Sequence, residues 1–336
     1  MPDLPLLLVA VVIIALIFDF TNGAHDSANA IATIVSTKVL SPMTAVIMAG
    51  VLNLFGAFLG TSVAHTIGSG IVRPELVTGS QGLVLAALLG AIVWNLLTWY
   101  LGLPSSSSHA LIGGLVGSAI AYGGWSAPSY GSIVSKVIVP LFLSPLAGFA
   151  SGYLLMVLLS WLVVRSSPGR VNFLFKKLQI LSSAFMATSH GLNDAQKTMG
   201  IITLALFTFH EIPEMTVPFW VKLACAMAMG LGTASGGWKI VKTMGHKIFK
   251  LEPIHGFAAE TAAAAVISGA SLMGAPISTT HIISTTVIGV GASKRLSAVR
   301  WGVAGRLVVA WVLTIPASAL VAALCYWLLE VAGVIV

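Results

Sequence analysis

The chain has 336 residues, 57% of them apolar and only 8% charged, with a mean hydropathy of +0.99. Soluble globular domains carry about 25% charged residues, so a soluble enzyme or binding module is excluded. The net charge of +7 would suit nucleic acid in a soluble protein, but here the bases cluster in a few loops, which is how membrane orientation is encoded; no nucleic-acid partner is expected.

The apolar residues come in runs of about 20 or more rather than about ten alternating ones, so the backbone must satisfy itself within helices. The expected class is an all-α polytopic membrane protein. In chain order, a long first span covers Leu4 to Thr37; Asp3 precedes it in place of a basic n-region and no small-residue cleavage site follows, so it is read as retained. A return span follows at Met43 to Thr66, then an apolar region over 82–121 with a polar centre, then an exit span at Val137 to Val164. Beyond Arg165 to Lys177 come Leu178 to Phe209, Phe219 to Gly237, a second polar-centred region over 254–292, and Trp301 to Leu329. Cys225 and Cys325 lie in apolar runs without metal-ligand spacing and are expected to be packing residues.

The loops orient these spans. RSSPGRVNFLFKK, KIVKTMGHKIFKLEP and SKRLSAVR are strongly basic and belong in the cytoplasm, whereas HEIPEMTVP has two glutamates and no Lys or Arg and falls outside. The weakly charged IVRPELVTGS and GGWSAPSYGS are also placed outside. The region between the last two basic loops must therefore cross twice or not at all. It has about 40 residues around GAPISTTH, too short for two spans of about 20 plus an exposed turn, so a re-entrant hairpin fits better; the same holds for 82–121. Three crossings per half make the copies inverted: residues 1–164 as a first repeat, 165–177 as a cytoplasmic linker, 178–336 as a second repeat, both termini external. Inverted-topology repeats with discontinuous helices recur in secondary transporters.

Two pairs of motifs carry the chemistry. FTNGAHDSANAIAT and TSHGLNDAQKTMG align at an offset of about 168, which places Gly23 on Gly191, His25 on Asn193, Asp26 on Asp194 and Asn29 on Lys197. A carboxylate at mid-membrane costs about 2.5–3.5 kcal/mol, and Asp26, Asn29, Asn193 and Asp194 offer the oxygen ligands that a hard cation takes. His25 is open between proton carrier, hydrogen-bond partner and core residue; Lys197 between an ion pair to an aspartate and contact with an anion. GLPSSSSHALIGG and GAPISTTHIISTT align at about 172, Pro104 on Pro276 and His109 on His281. Each proline breaks one helix and permits another. Ser106, Ser107 and Ser108, with Ser278, Thr279 and Thr280, then occupy the first turns of half-helices, whose free amides and positive end form an anion cradle. His109 and His281 are expected to brace the tips, and Glu260, which has no acidic counterpart in the first half, to pair with a nearby Lys or His or take part in coupling. An intramembrane hydrolase needs one serine set against one base; a duplicated pattern does not fit, so no enzyme activity is expected.

These motifs resemble those of the inorganic phosphate transporter (PiT) family of cation-coupled phosphate symporters. GAHDSANAIAT is similar to its GANDVANA-type signature and HGLNDAQKTMG to the second copy, while PSSSSHALIGGLVG and PISTTHIISTTVIGVG are similar to its paired hairpin motifs. The resemblance implies a bacterial or archaeal plasma-membrane homodimer that imports phosphate with sodium or protons. It makes the six hydroxyl residues phosphate ligands and Asp26, Asn29, Asn193 and Asp194 ligands of the co-transported ion; no other cofactor is implied. His25 departs from the signature's Asn, which leaves proton coupling open. The alternative is a proton-coupled sulfate or metal-phosphate symporter of the same family.

Overall fold

The computed structural model describes residues 4–68 and 82–335. The loop IVRPELVTGS lies outside them. The described residues form thirteen helices: α1 (Leu4–Ser36), α2 (Pro42–Gly56), α3 (Ser62–Gly68), α4 (Gly82–Leu101), α5 (Ser107–Gly123), α6 (Tyr130–Ile133), α7 (Val139–Val163), α8 (Pro168–Thr208), α9 (Phe219–Ser235), α10 (Trp238–Lys242), α11 (Pro253–Leu272), α12 (Thr279–Lys294) and α13 (Trp301–Val331). Four of them, α1, α4, α7 and α13, are long and apolar enough to cross a membrane.

The chain turns into and out of these helices where its polar, proline and glycine residues dictate. Ser41, Ser106 and Ser278 cap α2, α5 and α12, each accepting from the amide three residues on at 3.2–3.3 Å. The arms before the two serine-threonine motifs end alike. Gly102 (φ +66°) and Gly274 (φ +71°) take the left-handed conformation that glycine adopts without strain. Leu103 N then donates to Thr98 O at 2.9 Å and Ala275 N to Ala270 O at 2.9 Å, the closing bond of a Schellman ending.

The return span has an unexpected break between Gly56 and Ser62; its matched span ends at the Gly236–Gly237 break, where the sequence places its end, but α10 follows at once within the expected basic loop. The apolar run FGAFLG hides the first break, because it is set by a distant side chain: Gln196 Oε1 accepts from Val63 N at 2.8 Å and Ala64 N at 3.4 Å, starting α3 afresh. At the second, Ser27 Oγ accepts from Gly237 N. The other difference is that α8 starts at Pro168, so most of the expected linker is the first three turns of a 41-residue helix.

α1 and α8 form the centre and run antiparallel, as cross-links from Thr198 to Asp19, Ser183 to the Ala30 carbonyl and Thr37 to Gln179 show. Around them the halves exchange partners in matched fashion: α1 packs on α9 and α8 on α2, α5 on α13 and α12 on α7. The outward faces of α7 and α13 expose Leu146, Leu154, Leu162, Val309, Val312 and Leu320, an apolar surface suited to lipid. Two apolar clusters close the centre at its ends, one around Phe18, Leu88 and Met199, the other around Ile31, Ile34, Met186 and Ile283.

A Cβ added at Gly56 would collide with the Thr188 carbonyl and the Leu192 amide, whereas one at Gly169 meets nothing within 4 Å. Gly56→Ala is expected to lower stability by about 1–3 kcal/mol, the usual overpacking cost, and Gly169→Ala to leave it unchanged. Thermal unfolding in detergent compares the two.

Candidate functional site

The aspartates of the paired motifs meet. Asp26, His190 and Asp194 each present a ligand atom, and those atoms lie within 4.8 Å of one another, all buried. The two serine-threonine tips close on the same point. Ser107 Oγ donates to Asp26 Oδ2 at 2.6 Å and Thr280 Oγ1 to Asp26 Oδ1 at 3.3 Å. Thr279 Oγ1 donates to Asp194 Oδ2 at 2.9 Å. The tips also touch each other: Ser108 Oγ donates to the Ile277 carbonyl at 3.5 Å, and the His109 and His281 rings are 4.9 Å apart. His281 lies near Trp311 at 4.1 Å between ring centroids, and Trp311 Nε1 donates to the Pro104 carbonyl at 2.9 Å, so both histidine rings are packed where the two tips meet.

The remaining motif residues divide into those at the contact and those beside it. Asn29 Nδ2 donates to Thr280 Oγ1 at 3.0 Å and Thr279 Oγ1 at 3.3 Å. Asn193 Nδ2 donates to Asp194 Oδ1 at 3.0 Å and the Ile277 carbonyl at 3.1 Å. Lys197 Nζ contacts Asp194 Oδ1, Ser108 Oγ and the Ile277 carbonyl, so the ion pair open in the sequence is formed. His25 Nδ1 lies 2.7 Å from Asp26 Oδ1, and Nε2 lies 3.2 Å from Thr98 Oγ1. Ser106 and Ser278 have their hydroxyls accepting as helix caps. Glu260 lies apart, against neither Lys nor His: its carboxylate takes hydrogen bonds from Thr33, Ser182 and, at 3.3 Å, Gln179 Nε2.

The sequence reading overlooked several residues here. His190 Nδ1 lies 2.8 Å from Asn53 Oδ1 and its Nε2 lies 2.9 Å from Asp194 Oδ2. Asn22 and Asp19 are buried on α1, and Asp19 Oδ1 accepts from Thr198 at 2.9 Å. The signal was available: Asp19, Asn22, Asp26, Asn29 and Thr33 follow a three-and-four spacing that puts them on one helix face. The Ile277 carbonyl, freed because its residue precedes a helix cap, has no such signature.

An oxygen-rich, closed centre between two helix N-termini, inside a bundle with an apolar exterior, defines a membrane protein that handles small ions. Residues 22–322 match the phosphate transporter family. A protein of Rhizobium meliloti described as a low-affinity inorganic phosphate transporter is 51% identical over 323 residues, covering 96% of each chain. One of Bacillus subtilis with the same description is 48% identical over 331 residues, covering 98% of this chain and 99% of its own. A solved structure described as the sodium-dependent phosphate transporter matches with a TM-score of 0.86 at 25% identity, covering 97% of this chain and 99% of that one. The chain belongs to the phosphate transporter family.

Removing the Glu260 carboxylate leaves the buried donors of Thr33 and Gln179 without that acceptor, at about 1–3 kcal/mol each, while Ser182 keeps its bond to the Gln179 carbonyl. Glu260→Ala is expected to lower the unfolding midpoint in detergent well below that of Glu260→Gln, whose carbonyl still accepts; equal midpoints would show that the carboxylate does not hold this cluster.

Proposed function

We infer that this protein imports inorganic phosphate by symport with a cation, sodium in the first instance, and holds the anion between the N-termini of α5 and α12. The observation that carries the reading is the convergence of both tips on both aspartates, through Ser107 to Asp26 and Thr279 to Asp194. First-turn amides and hydroxyls suit a tetrahedral oxyanion, and carboxylate, amide and carbonyl oxygens suit a hard cation. The two functions share atoms. The hydroxyls of Ser107, Thr279 and Thr280 each satisfy a carboxylate; a cation arriving at that carboxylate releases the hydroxyl to donate to phosphate, so each ion favours the other. Phosphate near neutral pH carries a proton that it can donate to an aspartate, which sulfate cannot, and Asp26 and Asp194 stand at the tips.

The antiparallel match of α1 to α8 supports an inverted repeat divided near residues 165–177, with the hairpins over 82–121 and 254–292 entering from opposite faces. α4 is long enough to cross, yet its last turn reaches only His25 beside Asp26, through Thr98, which supports a re-entrant arm. The plasma membrane, external termini and a homodimer complete the arrangement. A second reading, proton coupling, is favoured by the contact of His25 with Asp26, a pair that can carry a proton.

Reconstituted into liposomes, the protein is expected to accumulate phosphate, but not sulfate, under an inward sodium gradient; accumulation under a proton gradient alone would select the second reading. Asp26→Asn is expected to abolish accumulation. Ser107→Ala and Thr279→Ala together are expected to raise the phosphate KM about tenfold or more, from the loss of charge-assisted hydrogen bonds. An unchanged KM would refute the cradle.

A further inference from the structure

The two matched cation positions are chemically unequal. On α1, Asp26 is flanked on its own helix face by Asn22, four residues before, and Asn29, three residues after. Both amides are 1% exposed, and the Oδ1 of each is buried without a hydrogen-bond partner among the described residues. Buried acceptors are nearly always paired, so a carboxylate with two unpartnered amide oxygens beside it presents a ligand set for a cation. On α8 the same offset of about 168 replaces Asn22 by His190 and Asn29 by Lys197. Where the first half has acceptors without donors, the second half has the donors themselves, both directed at Asp194.

Lys197 is held the way a metal ion would be. The residue is 1% exposed, and its ammonium contacts a carboxylate oxygen of Asp194, the hydroxyl of Ser108 and the carbonyl of Ile277. The matched contact in the first half is from the Asn29 amide to Thr280, made by a neutral group whose oxygen remains free. We propose that Lys197 is a tethered cation that permanently fills the second repeat's ion position, so that only the Asn22–Asp26–Asn29 position takes up a mobile cation. This rests on the reading of Asp26 and Asp194 as cation positions. Its consequence is one mobile cation fewer per phosphate than two equal repeats would carry, and correspondingly less positive charge moved per cycle.

The test is the number of sodium ions bound at equilibrium per purified full-length chain in detergent, with radioactive sodium as the probe and no phosphate present. The wild type is expected to bind one, Asp26→Asn none, Lys197→Asn two, and the double variant one, because Asn at 197 recreates the acceptor set found at Asn29. Lys197→Gln, which keeps a longer amide, gives the same reading if Lys197→Asn does not fold. Two sodium ions on the wild type, or a folded Lys197 variant that binds no more than the wild type, overturns the proposal. A wild type that binds none while Lys197→Asn binds one keeps the tethered cation and removes sodium from the Asp26 position. No sodium on any of the four proteins overturns both.

Discussion

Two carboxylates, on different helices, point at one another across less than 4.8 Å in an interior closed to water. Like charges at that separation repel by about 3–4 kcal/mol even at an effective dielectric constant of about 20, and neither can be left unpaired in such a place without a larger penalty. The chain answers with donors from four segments. Lys197 and His190 come from α8 itself, His25 from α1, Ser107 from α5, and Thr279 and Thr280 from α12. Because Ser107, Thr279 and Thr280 belong to the two tips, the tips cannot settle elsewhere without taking hydrogen bonds from both aspartates. Electrostatics at the centre thus fixes the position of elements whose own sequences are mostly apolar.

Close approach of the helices makes this possible. A Cβ at Gly23 would meet the Met229 carbonyl, one at Gly191 the Asn53 carbonyl, and one at Gly232 the Phe20 carbonyl. Small residues let helices come together where no hydrophobic force separates protein from lipid. The glycines three residues before each aspartate serve as contact faces, and α1 and α8 are unbroken helices through both motifs. The chain breaks instead in the helices beside them, between α2 and α3 and between α9 and α10.

What was legible in the sequence was what is duplicated or punctuated. The Pro-Ser and Pro-Ile-Ser runs, the glycines before them and the paired aspartates named the tips and their partners, because local chemistry at those places determines the backbone. His190 was not singled out although it stands four residues before Asp194, since a histidine in an apolar run is commonly a core residue. Of the two expectations for Glu260, a basic partner or a part in coupling, the first is not met: three neutral donors from α1 and α8 surround it, a pairing only tertiary packing could reveal. The break after Gly56 depends on Gln196, 133 positions away from the Val63 amide it receives, and no window of sequence contains both.

The exchange of packing partners has a mechanical meaning. α5, which carries the first tip, lies along α13 from the other end of the chain, and α12, which carries the second, lies along α7. Gly113 and Gly117 set the first contact against Ile315 and Ala319, and Gly148 and Gly152 set the second against Ile282 and Thr286. A displacement of either tip helix is therefore passed by backbone contact to a helix from the opposite half of the chain, so each tip is geared to the half that does not carry it.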